Sequence, residues 1–568
     1  MVKRQDMVDD VKSHPDVSVL IVGGGINGVG LLRELALQGV DVLLVDKADF
    51  CSGASAALSR MVHGGLRYLE FGEFRLVAES LKDRNLLLRN ARHYVHPLRT
   101  TIPIFHRFSG VFGAIRKFLH LGAGKRPTSR GSLIVKMGLT FYDILTRKNR
   151  VMPKHKFASR RKSLAVRPML PKDIVCTATY YDAWVSYPER LGLELILDAR
   201  AIYPEARAMN YVALESAEGD TVLLRDGLSG NSLRVRPKIV VNATGAWIDL
   251  TNRMIDLDTT LIGGTKGAHL VIDNERLYEA LDGGMIYYET PEGRVAVVLP
   301  WLGKALMGST DIRVDNPDDV RCTDDEVEYM LESIRQVFPD LQIDRSQIVS
   351  RFSGVRPLQY SDADATVEVS RDHFCAVNEG DDHLGFPVYS MTGGKWTTFR
   401  AFAEQVTDTI LERLALERRL ASEDVEIGGG RGYPDDDAAM RRWTSSLTER
   451  TELDSDRIDT LLQRYGTRAE HVAAFITEAP DEPLKHHPTY TRREIEFIVR
   501  HERVVHIDDL VLRRTAIALL GELTRGLLAE LTEIAAGVLQ WPAERVASEI
   551  ARAEASLLDR FGIDLQAG

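Results

Sequence analysis

The hydrophobic positions change their period along the chain. Residues 17–22 (VSVLIV) form a short β-branched apolar run, 23–30 (GGGINGVG) are glycine-rich, 31–39 (LLRELALQG) space their apolar positions helically, and 40–46 (VDVLLVD) return to a short apolar run. This predicts strand, glycine turn, helix, strand. Further short strand candidates lie at 238–241 (KIVV), 268–272 (AHLVI) and 294–299 (RVAVVL). After the glycines at 428–430 the texture shifts to Glu/Arg/Leu/Ala-rich runs such as RREIEFIVRHERVV, which predict a separate helical domain over residues 430–568.

Composition narrows the class. A chain of 568 residues, 44% hydrophobic and 27% charged, buries a large core without staples, and disordered, collagenous and mini-protein classes are excluded. The four cysteines stand far apart with no CxxC, so no structural zinc site or disulfide framework is readable, and no metal is expected. No signal peptide or membrane-spanning run is expected, and residues 1–16 read as a tail.

Gly23, Gly25 and Gly28 form GxGxxG between the first strand and the first helix, and Asp46 ends the next strand. The first glycine allows the tight turn, the second lets the backbone approach a pyrophosphate, and the third lets helix and strand pack closely. The helix N-terminus offers unpaired amides to phosphates, and Asp46 suits a ribose diol. The motif does not separate NAD from FAD; a second strand ending in a small-residue turn, 240–247 (VVNATGAW), favours a flavin.

Residues 59–88 (SRMVHGGLRYLEFGEFRLVAESLKDRNLLL) resemble the segment after the adenosine-binding unit in the FAD-dependent glycerol-3-phosphate dehydrogenases, members of the D-amino-acid oxidase superfamily. TKGAHLVI (265–272), VLPW (298–301), GSTDI (308–312), FSGVRPL (352–358), SRDH (370–373) and GGKWTTFR (393–400) follow in the family's order. The resemblance implies an α/β fold: a Rossmann-like FAD-binding domain of the glutathione-reductase type, a mixed β-sheet substrate domain and a C-terminal α-helical domain. The expected boundaries are 17–98 for the first part of the FAD-binding domain, 99–162 for an insertion, and 163–427 for interleaved FAD-binding and substrate parts. The cofactor contacts it implies are Gly23, Gly25, Ile26, Asn27, Gly28, Asp46, Ser55, Ser59, Arg60, His63, Gly64, Gly65, Gly245, Gly354, Gly394, Lys395 and Thr397. The chain departs from the family in having Asp46 for Glu, CSGASAALS for a Thr/Ser-rich run, and Arg60 for Lys.

The implied reaction is oxidation of sn-glycerol 3-phosphate to dihydroxyacetone phosphate, with hydride passing from carbon 2 to flavin N5 and electrons going on to a membrane quinone. A phosphate calls for guanidinium and ammonium donors, and Arg67, Arg356, Arg371 and Lys395 lie in the matched blocks, with Tyr68 as a further hydroxyl contact. Proton removal calls for a base titrating near neutrality, which histidine supplies. His269 is the favoured base and His63 a substrate or flavin neighbour, an order the sequence does not fix; Arg356 is alternatively the group that polarises the carbon 2 oxygen. The competing readings are an oxidase of the same substrate using oxygen, an amine or 2-hydroxy-acid oxidase of the superfamily, and a flavin-bound protein without catalysis.

Charge adds one feature. Residues 99–162 hold 16 Lys plus Arg and one acid, Asp143, so they carry +15 while the whole chain carries -10. Phe108, Val111, Phe112, Ile115, Phe118 and Leu119 fall on one helical face, with Arg107, Arg116, Lys117 and His120 off it. Such a helix lies in a membrane interface, or packs on the protein's own acids; nucleic acid is not an expected partner. The expected location is the cytoplasm, peripherally bound to the cytoplasmic face of the cell membrane near anionic lipid, possible homodimerisation being left open.

Overall fold

In this computed structural model, residues 4–66, 68, 72–107, 131–147, 150–290, 294–361 and 372–566 are described. Arg67, Arg371 and the apolar stripe from Phe108 to Leu119 lie outside them.

Two sheets organise the chain. The first contains β1 (Asp16–Val22) and β2 (Val42–Asp46). The second begins with β3 (Met61–Val62), β4 (Val95–Ile104) and β5 (Cys176–Val185). The chain then returns to the first sheet for β6 (Ala206–Asn210) and β7 (Ser232–Asn242). It crosses back for β8 (Thr265–Ile272), β9 (Met285–Glu289), β10 (Val295–Trp301), β11 (Lys304–Gly308) and β12 (Ile348–Arg356), and closes the first sheet with β13 (His373–Asn378) and β14 (Val388–Gly393). The helices used below are α1 (Arg4–Ser13), α2 (Ile26–Leu37), α3 (Phe74–Asn90), α4 (Ser132–Leu145) and α5 (Pro188–Ile202).

Along the order β13-β14-β7-β1-β2-β6 the first sheet is parallel except for the β13–β14 pair, and the strands Val212–Glu218 and Thr221–Asp226 extend it antiparallel from β7. Val19 lies opposite Val42 and Ile239. Both faces are covered, which is why these strands read as unbroken apolar runs. Val19, Ile21, Val42 and Leu44 pack with α2, α5 and the helix Phe399–Arg413. Leu20, Val22, Leu43 and Val45 pack on the other side with Val8 and Val11 of α1. Within the expected tail, residues 4–13 are helical and docked: α1 buries two valines, and Arg4 bonds Asp226 Oδ1 at 2.7 Å.

In the second sheet β8, β11, β10, β9, β4, β5 and β3 lie side by side, with β12 pairing along β8. Side chains alternate: Leu270, Ile272 and Val298 face the helix Asp324–Val337, whereas Val271, Val297 and Leu299 face the C-terminal helices. Those helices thus share one core with the sheet. Ile495, Ile498, Leu527 and Leu531 cluster with Val271, Leu299 and Trp301, so the later part of the expected C-terminal helical domain roofs the second sheet, while Leu447, Ile458, Leu461 and Val472 form a cluster of their own. The domain also contains a two-stranded hairpin, Pro483–Leu484 with His487–Thr491. The expected insertion begins in β4 and ends just past the strand Lys156–Ser159, which pairs with β5, in the helix Arg160–Val166.

Candidate functional site

The glycine turn is a backbone device. Gly23 has φ +110°, and a Cβ there would sit 2.6 Å from the Ala243 carbonyl oxygen, so β1 and the turn after β7 touch through bare backbone. A Cβ on Gly28 would fall 1.9 Å from Gly23 O, which only glycine avoids. Gly25 caps α2 without a side-chain bond, and the first helical amide, Ile26 N, donates to Ser55 Oγ at 2.9 Å. Asp46 Oδ2 accepts from Gly24 N at 2.6 Å and Oδ1 from Ala48 N at 2.8 Å; burial outweighs these bonds and pushes its carboxyl up to about 6.

These residues fit a dinucleotide. Asn27 Oδ1, in the first turn of α2, is buried with no hydrogen-bond partner among the described residues. A buried polar atom of this kind is uncommon and points to an absent partner. Gly394 (φ +90°) approaches Asn27 Nδ2, and Gly245 (φ +63°) opens the turn after β7. Gly354 brings β12 against the 52–58 loop, where a Cβ would be 2.6 Å from that of Ala57.

Beyond the turn, a cleft of about 330 Å³ is lined by Ser59, His63, Tyr68, His269, Arg356 and Lys395, among others. His269, on β8, is 2% exposed; its Nε2 lies 3.0 Å from Ser59 Oγ and its ring stacks on Phe352 at 5.2 Å. The second sheet makes room for it, since a Cβ on Gly308 would reach its Cδ2 at 2.2 Å. Burial first, then the Arg356 and Arg60 charges, push its imidazole down from 6.5 to about 3. His269 is thus held as a neutral imidazole, less basic than an exposed histidine. Its Nδ1 is buried without a hydrogen-bond partner among the described residues.

Arg356, at the end of β12, donates from Nη2 to Ser309 Oγ at 2.8 Å and Thr310 O at 3.1 Å, and from Nη1 to Asp311 Oδ1 at 3.2 Å. Gly267 leaves its space, because a Cβ there would be 2.1 Å from Nη2. Lys395 Nζ lies 4.5 Å from the Tyr68 ring centre and donates to Ser80 Oγ. His63 donates its backbone N–H to Thr397 Oγ1 at 3.2 Å, and its ring is 6.1 Å from that of Tyr68.

Arg60 is the expected contact that the structure turns away. With φ +55° its side chain runs into the core, fully buried. There it bonds Glu189 at 3.0 and 3.2 Å and lies 4.1 Å from the Trp301 ring centre. A guanidinium neutralised in this way does not face the cleft.

Sequence reasoning missed a buried carboxylate beneath the HGG loop. Asp182 Oδ1, on β5, accepts from Gly64 N at 3.0 Å, Arg84 Nη1 at 2.9 Å and Tyr142 Oη at 2.6 Å. The signal was present: Asp182 is the one acid in the apolar, aromatic strand CTATYYDAWV. Buried acids are expected to be paired.

The chain matches the family described as FAD dependent oxidoreductase over residues 18–400, and the C-terminal domain of alpha-glycerophosphate oxidase over residues 420–546. It is 33% identical to a Synechocystis protein named glycerol-3-phosphate dehydrogenase over 527 residues, covering 88% of this chain and 89% of that protein. It is 28% identical to the aerobic glycerol-3-phosphate dehydrogenase of Bacillus subtilis, covering 90% and 89%. The fold is that of the glycerol-3-phosphate dehydrogenase from Bacillus halodurans solved with FAD, with a TM-score of 0.77 and 22% identity over 99% of this chain and 98% of that one.

Proposed function

The chain belongs to the FAD-dependent oxidoreductases, alongside the glycerol-3-phosphate dehydrogenases, and from that premise we propose that it oxidises sn-glycerol 3-phosphate to dihydroxyacetone phosphate. The observation that carries this reading is the convergence of two cations, Arg356 and Lys395, with two histidines, His63 and His269, in one cleft beside the 54–61 segment. FAD, when bound, supplies the two-electron oxidation. Gly23, Gly25, Gly28 and the amides of α2 hold its diphosphate, with Asn27 and Asp46 as polar partners.

The chain's own work is positioning and charge. Arg356 and Lys395 receive the phosphate or the oxygen on carbon 2. His269 is the hydrogen-bond acceptor for the carbon 2 hydroxyl. A neutral imidazole held at about 3 is a weak base, but a phosphate entering the cleft opposes the Arg356 charge and raises its basicity. Tyr68 and His63 close one wall. Stepwise anaerobic addition of glycerol 3-phosphate is expected to bleach the visible flavin absorbance; bleaching by lactate, glycine or sarcosine instead overturns the substrate.

The electron acceptor of the reading is a membrane quinone, reached from the cytoplasmic face. Among the described residues no helix is long and apolar enough to cross a membrane. An interfacial contact is supported by α4, which follows the basic stripe and exposes Leu133, Met137, Phe141 and Ile144 on one side, Met137 by 66% and Ile144 by 60%. An apolar helix face amid 16 basic residues suits anionic lipid. Met137→Asp with Ile144→Asp is expected to release the protein from anionic vesicles with dye-linked activity intact; unchanged vesicle binding overturns the contact. A second reading, with oxygen as acceptor, is favoured by the match to the C-terminal domain of alpha-glycerophosphate oxidase, and one peroxide per turnover in air would establish it.

A further inference from the structure

The C-terminal roof reaches the dinucleotide turn through one carboxylate. The segment 46–51 leaves β2 and is tied to Gly24 at both ends: Asp46 accepts from Gly24 N at 2.6 Å, and Cys51 N donates to Gly24 O at 2.9 Å. Between these ties stands Asp49, 1% exposed. Its Oδ2 accepts from Arg514 Nη1 at 2.7 Å and from Arg513 Nε at 2.5 Å. Its Oδ1 accepts from Arg514 Nη2 and from Asn210 Nδ2, each at 2.9 Å.

The two arginines are consecutive, and consecutive residues of an α-helix do not face one point. Here they end a π-helical turn, Leu510–Arg514, a geometry found mostly as single turns at functional positions, and both guanidinium groups meet the same carboxylate. Each is fixed from behind by the roof. Arg513 Nη2 donates to Asp509 Oδ1 at 2.7 Å, and Arg514 Nε donates to Glu502 O at 2.6 Å. Burial by itself would raise the Asp49 carboxyl, but the two guanidinium groups hold it far below the usual range, so it stays charged and gripped.

A carboxylate held by three donor groups does not drift, and neither does the peptide on either side of it. We infer that Arg513 and Arg514 are positioning residues for FAD: they clamp Asp49, hold 46–51 against Gly24, and so make retention of the dinucleotide depend on a contact 465 residues distant in sequence. The inference rests on the family's FAD and is independent of the substrate.

The test measures flavin, not turnover. Apoprotein prepared from the full chain is titrated with FAD by flavin fluorescence, and the holoenzyme is diluted to follow release. Arg513→Gln and Arg514→Lys are expected to raise the FAD dissociation constant about tenfold or more, mainly through faster release. Arg464→Gln is the control, because it breaks a buried pair with Glu494 (3.1 Å) inside the roof and away from the loop. It is expected to lower the melting temperature of the apoprotein while leaving the FAD constant within about twofold. Constants within about twofold of the parent for both Arg513→Gln and Arg514→Lys overturn the inference, as does an equal loss in Arg464→Gln. Should Arg514→Lys not fold, Arg513→Gln, which keeps the Arg514 fork, decides by the same criterion.

Discussion

The glycine turn and the cleft beside it are built by opposite means. The turn gathers most of its parts from the short span Gly23 to Asp46 and works through backbone: a positive φ at Gly23, a bare approach to Ala243, and the amino end of α2 capped by Gly25. The cleft gathers side chains from β5, β8, β12 and the loops after β3 and β14, and works through charge: Asp182, His269, Arg356, His63 and Lys395. In the turn, added atoms do the damage; in the cleft, lost atoms do.

That contrast is open to breakage, first at its strongest point. Gly28→Val places carbon 1.9 Å from Gly23 O and is expected to leave purified protein with no visible flavin spectrum; a yellow Gly28→Val would break the comparison outright. Arg356→Ala comes next. It is expected to keep its flavin and lose about 10² to 10³ in kcat with glycerol 3-phosphate, as when a preorganised donor is removed from an active site. Parental turnover there would remove Arg356 from the chemistry, and loss of flavin would merge the two regions.

A finer probe uses pH. The His269 imidazole sits at about 3 in the fold against 6.5 when exposed. Below 6.5 the unfolded chain therefore binds a proton that the folded chain refuses, so folding stability falls as pH drops from 6.5 towards 3 and is fully present above 6.5. His269→Asn is expected to flatten that part of the profile in urea melts, and an unchanged slope would place the buried histidine elsewhere in the balance. The smallest effect belongs to Tyr142→Phe, which removes one of three donors to Asp182 Oδ1. It is expected to cost about 1 kcal/mol of stability, read as a shift in the denaturant midpoint with flavin content unchanged.

Legibility followed the same division. The strand, glycine turn and helix around Gly23 to Asp46 were readable because their determinants are contiguous, and the apolar runs became strands covered on both faces. His63, His269, Arg356 and Lys395 were readable as a set through their motifs, and the fold brings them to one cleft. Arg60 was not. Its block is correct, but a positive φ and the partner Glu189, 129 residues on, send the side chain inward. Asp182 escaped because its three donors come from Gly64, α3 and α4. The helix of residues 4–13 escaped because Val8 and Val11 give too thin a stripe to register until the sheet they cover is known.

By itself the sequence determined the dinucleotide turn, the family and the cationic character of the cleft, since steric demands on backbone and short motifs are local properties of the chain. Only the tertiary structure decided the neutral state of His269, the inward fate of Arg60, the merging of the later C-terminal helices with the second sheet, and the grip of Arg513 and Arg514 on Asp49. Each of these depends on burial and on charges brought together across long separations, and desolvation and Coulomb energy are functions of distance in space, not of distance along the chain.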